Sequence, residues 1–165
     1  MERVGVNMLT YKDILYSVTK KISDNFDCDI IVKNQEGTFE NECFYVTVNP
    51  ITSKASTCLT NEKQLMVSIK YFSNDKLNNY DVAGKLENLF ARNIKVKDKF
   101  LNISNVEPNF LTDEVGDMLD FLIYVNYFEK ANVKISHIEN NGDVYLDKDY
   151  DESIDIMNSI DVNLK

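Results

Sequence analysis

Asp117–Glu129, DMLDFLIYVNYFE, constrains the fold more than any other stretch of the chain. Read with a period of two, one face carries Leu119, Phe121, Ile123, Val125 and Tyr127. The other carries Met118, Asp120, Leu122, Tyr124, Asn126 and Phe128. The first face is apolar without a break and calls for a helical layer against it. The second is mixed, which suits partial exposure or contact with another chain. β-Branched and aromatic residues dominate, and neither Pro nor Gly interrupts, so the run reads as a central strand.

The elements around it follow from the same periodicities. Thr10-x-x-Asp13 is a capping box with Asp in place of Glu. Behind it Tyr11, Ile14, Leu15, Val18, Ile22 and Phe26 fall at helical spacing, predicting an amphipathic helix of about four to five turns. Cys28–Lys33 and Cys43–Asn49 read as strands, the second closed by Pro50, which cannot donate to a ladder. Thr52–Glu62 is small and polar and reads as a loop or ragged strand extension. Cys43–Asn49 and Lys63–Phe72 read as an antiparallel hairpin, with this stretch as its long polar tip. A second helix is expected over Tyr80–Ala91, capped by Asn78 or Asn79, buried through Val82, Leu86, Leu89 and Phe90, and ended by Asn93 in the left-handed region. Ile94–Val96 and Phe100–Ile103 flank Lys97–Asp98–Lys99 as a small hairpin. Val106–Glu114, with Pro108, should be irregular. Val133–Glu139 and Asp143–Asp147 flank Asn140–Asn141–Gly142, a strong hairpin signal, and Ile160, Val162 and Leu164 suggest a last strand. The fold class is α+β: a mainly antiparallel sheet with two amphipathic helices packed on one face, plus a C-terminal β-hairpin. Residues 1–7 read as a short extension and 8–165 as a single domain, since no repeat or composition break divides the chain.

Little in the sequence points to chemistry. A net charge of −9 argues against specific nucleic-acid binding, which needs clustered cations. Lys95, Lys97 and Lys99 are the nearest cluster and read as a solvated hairpin tip. No run approaches the length a membrane span needs, and the N-terminus carries no apolar signal region. Cys28, Cys43 and Cys58 match no metal spacing and read as reduced intracellular thiols. His137, the one histidine, falls in a predicted strand with no Gly-x-Ser-x-Gly turn to accompany it. Phosphate-cradling glycine loops and His-Glu-x-x-His are absent. Asp147, Asp149 and Asp151 alternate like calcium ligands, yet Glu152 and Asn158 stand where the calcium loop has Gly and Glu. That stretch reads as a solvated acidic loop. Asp113 and Glu114 have no evident shared cleft. No catalytic residue, cofactor or metal is therefore assigned.

What remains is surface. Tyr45, Phe72, Tyr124 and Phe128 lie on less-apolar strand faces, where aromatics mark either a protein interface or the covered second side of a sheet.

In this order of elements the sequence resembles the small phage tail-terminator, or tail-completion, proteins of Gram-positive phages, prophages and phage-tail-like bacteriocins. The likeness runs over Met8–Glu129: MLTYKDILYSVTKKISDNF, then FYVTVNP, a polar loop, QLMVSIKYFS, YDVAGKLENLF, KVKDKFLNI and LDFLIYVNYFE. The resemblance implies a structural protein, not an enzyme, that forms a ring, usually a hexamer. Such a ring caps the head-proximal end of the tail tube and stops its polymerisation. It then meets the head–neck connector or collar and, where the tail contracts, the sheath. It implies a place in a virion or tail-like particle assembled in the bacterial cytoplasm. Subunit or tube contacts are expected first at the polar tip (Lys54, Thr57, Asn61 and Lys63) and at Tyr45, Phe72, Tyr124 and Phe128. The rival expectations are a small cytosolic ligand-binding domain or enzyme with a deep apolar cleft, and a calcium-binding assembly module using the three aspartates.

Overall fold

A computed structural model describes residues 8–32, 42–73, 75–113 and 116–131, together with the backbone of 135–138 and 144–146. The α+β expectation holds. Two helices, α1 (Tyr11–Ser23) and α2 (Lys76–Leu89), accompany a six-stranded mixed sheet. Its strands are β1 (Asp29–Ile31), β2 (Cys43–Thr57), β3 (Thr60–Phe72), β4 (Asn93–Val96), β5 (Lys99–Asp113) and β6 (Gly116–Lys130). They lie in the order β1-β2-β3-β6-β5-β4, so β6 is central, with β3 and β5 as its neighbours. β7 (Ile135–Ile138) and β8 (Val144–Leu146) form a separate antiparallel pair, the expected C-terminal hairpin. The expected last strand near Ile160 lies outside the described residues.

The core sits between the helices and one face of the sheet. Leu119, Phe121, Ile123 and Val125 are fully buried and Tyr127 nearly so, as the period-two pattern requires. Across the ladders they meet Tyr71, Ile69, Val67 and Leu65 of β3. Ile14, Val18 and Ile22 of α1 and Val82, Ala83 and Leu86 of α2 supply the opposing layer. Full burial of each large aliphatic side chain contributes about 1.5–3 kcal/mol. Phe26, Phe44 and Tyr71 continue this layer towards β1, their rings 5.0 and 4.8 Å apart in turn.

Local signals set the helix starts. At α1 the Thr10 hydroxyl accepts from the Asp13 amide at 3.1 Å, and the Asp13 carboxylate accepts from the Thr10 amide at 2.9 Å. α1 ends at Ser23, about one turn earlier than the stripe reaching Phe26 implies. α2 starts four residues before the expected point. Its N-cap is Asp75, whose carboxylate accepts from the Leu77 amide at 2.9 Å. Asn78 and Asn79 lie inside the helix, and Asn79 is buried. Asn93 does not terminate α2; Phe90 is the C-cap, and Asn93 opens β4. The left-handed turn falls instead at Lys97 (φ 56°), in the tight β4–β5 connection.

Both prolines were expected to break strands, and neither does. β2 runs through Pro50 to Thr57, with a register shift between Pro50 and Thr52, and β5 runs through Pro108 to Asp113. The reason is position. β1 covers only Cys43–Tyr45 of β2, and β4 covers only Lys99–Asn102 of β5. Beyond those points each strand is an edge, where a missing N–H facing away from the partner costs no ladder bond. Of the two readings of Thr52–Glu62, the ragged strand extension holds: the stretch continues the antiparallel ladder with a second register shift between Ala55 and Thr57, turning at 58–59.

Candidate interaction surface

The sheet face turned away from the helices is built from registered rows of side chains. One row reads Tyr45, Lys70, Asp120, Asn109 across β2, β3, β6 and β5. The next reads Thr47, Ser68, Leu122, Glu107, and the third Asn49, Met66, Tyr124, Asn105. The Ser68 hydroxyl donates to Asp120 at 2.7 Å, and the Tyr124 hydroxyl to Glu107 at 3.4 Å. Burial and the neighbouring Glu107 push the Tyr124 phenol upward. No described element packs over these rows, and Tyr124, Tyr45 and Phe72 are half-buried. Phe128 is exposed outright at 66%.

Beyond the core, β2, β3 and β6 continue as a three-stranded arm. Lys54 pairs with Glu62, Ala55 with Asn61 and Thr57 with Thr60, while Glu62 and Asn61 pair on their other side with Phe128 and Glu129. The Ala131 amide, donating to the Leu59 carbonyl at 2.8 Å, closes the third strand onto the turn. Every residue from Asn49 to Leu59 is exposed, Ile51 at 50% and Leu59 at 42%. Hydrogen bonding rather than a core holds this arm: the Thr57 and Thr60 hydroxyls meet at 2.6 Å, and Lys54 lies 3.2 Å from Glu62. Hydroxyls and amides in such numbers suit an adaptable contact surface, not a packed interior.

Of the residues singled out from sequence, Lys54, Thr57 and Asn61 therefore share the arm, and Tyr45, Phe72, Tyr124 and Phe128 share the sheet face turned away from the helices. Lys63 stands apart. Its ammonium is 2.5 Å from the Glu129 carboxylate, and that carboxylate also accepts from the Leu9 amide at 2.8 Å. Glu129 is 3% exposed, so the triad clamps the segment before α1 to the root of the arm. The neighbouring Tyr127 phenol is pushed up to about 12, first by burial and then by Glu129. The signal for Glu129 was available: it continues the buried face of β6 by the same period of two.

An open groove of about 610 Å³ lies where the arm leaves the sheet, lined by Phe100, Asn102, Ser104, Asn126 and Phe128 among others. Sequence reading did not place Phe100 here, and it is 63% exposed.

Among the described residues no group of three or more His, Cys, Asp or Glu side chains could hold a metal ion, and no helix is long and apolar enough to cross a membrane. Cys28, Cys43 and Cys58 are free. Burial first, then Glu42, pushes the Cys28 thiol up to about 11, which favours the protonated thiol at neutral pH. Asp147, Asp149, Asp151, Glu114 and the side chains of Asp113 and His137 lie outside the described residues.

A family model described as phage tail terminator protein matches residues 13–137, from the first turn of α1 into β7. No curated protein matches the chain.

Proposed function

Because the chain belongs to the phage tail terminator family, and so is a structural tail component that meets other tail components, we propose that it caps the head-proximal end of a tail tube. Copies of the chain form a ring, usually of six in such proteins, that seats on the last ring of tube subunits. The seated ring stops tube polymerisation, and sheath polymerisation where a sheath is present. Its far side offers the surface on which the neck or collar joins.

The observation that carries this reading is the arm. A three-stranded extension with an exposed first strand and a hydroxyl-rich tip has no role in the core it leaves behind. It supplies what capping requires, a shaped surface able to dock on a repeating partner without tuned reactive groups. Lys54, Thr57 and Asn61 are the tube or subunit contacts on this reading, with Tyr45, Phe72, Tyr124 and Phe128 as the aromatic contacts on the sheet face that Lys54 shares. Lys63 supports them from beneath.

Gold-labelling the chain in purified particles tests the assignment. Label confined to the head-proximal end of each tube is expected. Label along the tube, or at its distal end, would contradict it.

A further inference from the structure

The two ends of the sheet are complementary to each other. Among the described residues, nothing pairs with the outer side of β1 or of β4, which are the two edges of the described sheet. Their directions agree. β1 is parallel to β2, and the four antiparallel steps from β2 through β3, β6 and β5 to β4 restore that direction. A rotation about an axis along the strands would therefore set β4 of one copy beside β1 of the next, in parallel.

Side-chain parity agrees too. Asp29 pairs with Cys43 and Ile30 with Phe44, so Ile30 faces the core and Asp29 the outer face. In β4, Ile94 and Val96 are buried while Asn93 and Lys95 are exposed, which puts Lys95 on that same outer face. Joining the ends would keep core against core and outer face against outer face.

The charges at the two ends are opposite. Asp24, Asp27 and Asp29 are exposed around β1, and Arg92 and Lys95 around β4. Lys97 is already held by Asp13 at 2.8 Å, and Asp98 in the turn opposes the basic set by one charge. Val32, 47% exposed beside β1, adds an apolar element at the acidic end.

We propose that a second copy of this chain docks edge to edge, the β4 end of one subunit on the β1 end of the next, with Lys95 and Arg92 set against Asp29 and Asp27. Such a head-to-tail contact closes into a ring when its rotation does. The inference rests on the ring reading above and names its subunit interface.

Charge reversal in the full chain tests it, with light scattering over a range of concentrations as the readout. The native chain should assemble to multiples of 19.1 kDa. Asp27→Lys/Asp29→Lys should repel its own β4 end, and Arg92→Glu/Lys95→Glu its own β1 end. Each should weaken assembly by about a hundredfold or more. An equimolar mixture restores opposite charges at every contact and should regain the native mass through alternating subunits. All four positions are exposed, and circular dichroism of each variant establishes that it folds. Assembly of both variants like the native chain would overturn the interface and leave the ring reading standing. A mixture of folded variants that stays monomeric would do the same. A native chain monomeric at every concentration would also overturn the proposed attraction, while the gold-label position would still decide the capping role on its own.

Discussion

Replacing Glu129 with Leu should destabilise the chain by about 3–4 kcal/mol. The carboxylate side chain is 2% exposed and that of Lys63 is 16% exposed, so the pair is desolvated rather than a surface bridge. Removing the anion leaves a largely enclosed ammonium without its partner, a change that costs about 3–5 kcal/mol in comparable sites. It also strips the Leu9 amide of its acceptor, about 1–3 kcal/mol for a buried donor. The two do not simply add, because the Lys63 stem can swing its ammonium towards water. The informative variant is the double one. Glu129→Leu/Lys63→Met removes both charges and leaves only the Leu9 amide unsatisfied, a loss of about 1–2 kcal/mol. The double variant should therefore be more stable than Glu129→Leu alone. The chain has no Trp, so urea unfolding is best followed by far-ultraviolet circular dichroism, with the slope on urea unchanged between variants. A Glu129→Leu loss below about 1 kcal/mol, or a double variant whose loss equals the sum of the singles, would refute the clamp.

Other outcomes follow from the same physics. Phe121→Ala opens a cavity at the fully buried centre of β6 and should cost about 3–5 kcal/mol in the same assay. Thr10→Ala removes the α1 cap and should cost about 1 kcal/mol. The Lys97 hydrogen bond first, then Thr10, hold the Asp13 carboxyl down to about 2, below its ordinary 3.8. Its stabilising contribution is thus present above pH 3.8 and lost as pH falls towards 2. Lys97→Met should reduce that acid sensitivity in urea midpoints measured against pH. Tyr71 and Tyr127 are pushed up to about 12, chiefly by burial, from an ordinary 10. The fold holds their protons, so stability is intact below pH 10 and falls as pH rises through 12. Tyrosinate absorbance should appear together with loss of the dichroism signal.

The sequence was legible where local and global signals agree. Val125 and Phe121 announced a buried face because their alternation has no competing period, and Thr10 with Asp13 announced a helix start because a capping box is purely local. Pro50 and Pro108 misled because their cost depends on whether a neighbouring strand exists, which is a fact of topology. Thr52–Glu62 reads equally as a loop or a ragged strand extension because its side chains need no core; its backbone ladder decides for the strand extension. Asn79 looked like a cap and is buried inside α2, since Asp75 is equally competent one turn earlier. The candidate surface was legible only in part. Tyr124 and Phe128 showed as aromatics on a mixed face, whereas Phe100 beside the groove, and the opposite charges of Asp29 and Lys95, acquire meaning only once the strand order is known.

The most direct test of the capping role is the length distribution of tails made without this chain, measured by electron microscopy. Capping predicts tubes that overrun the native length and scatter broadly, with a single sharp length restored when the chain is supplied again. Tubes that keep their native, sharply defined length in its absence would contradict it.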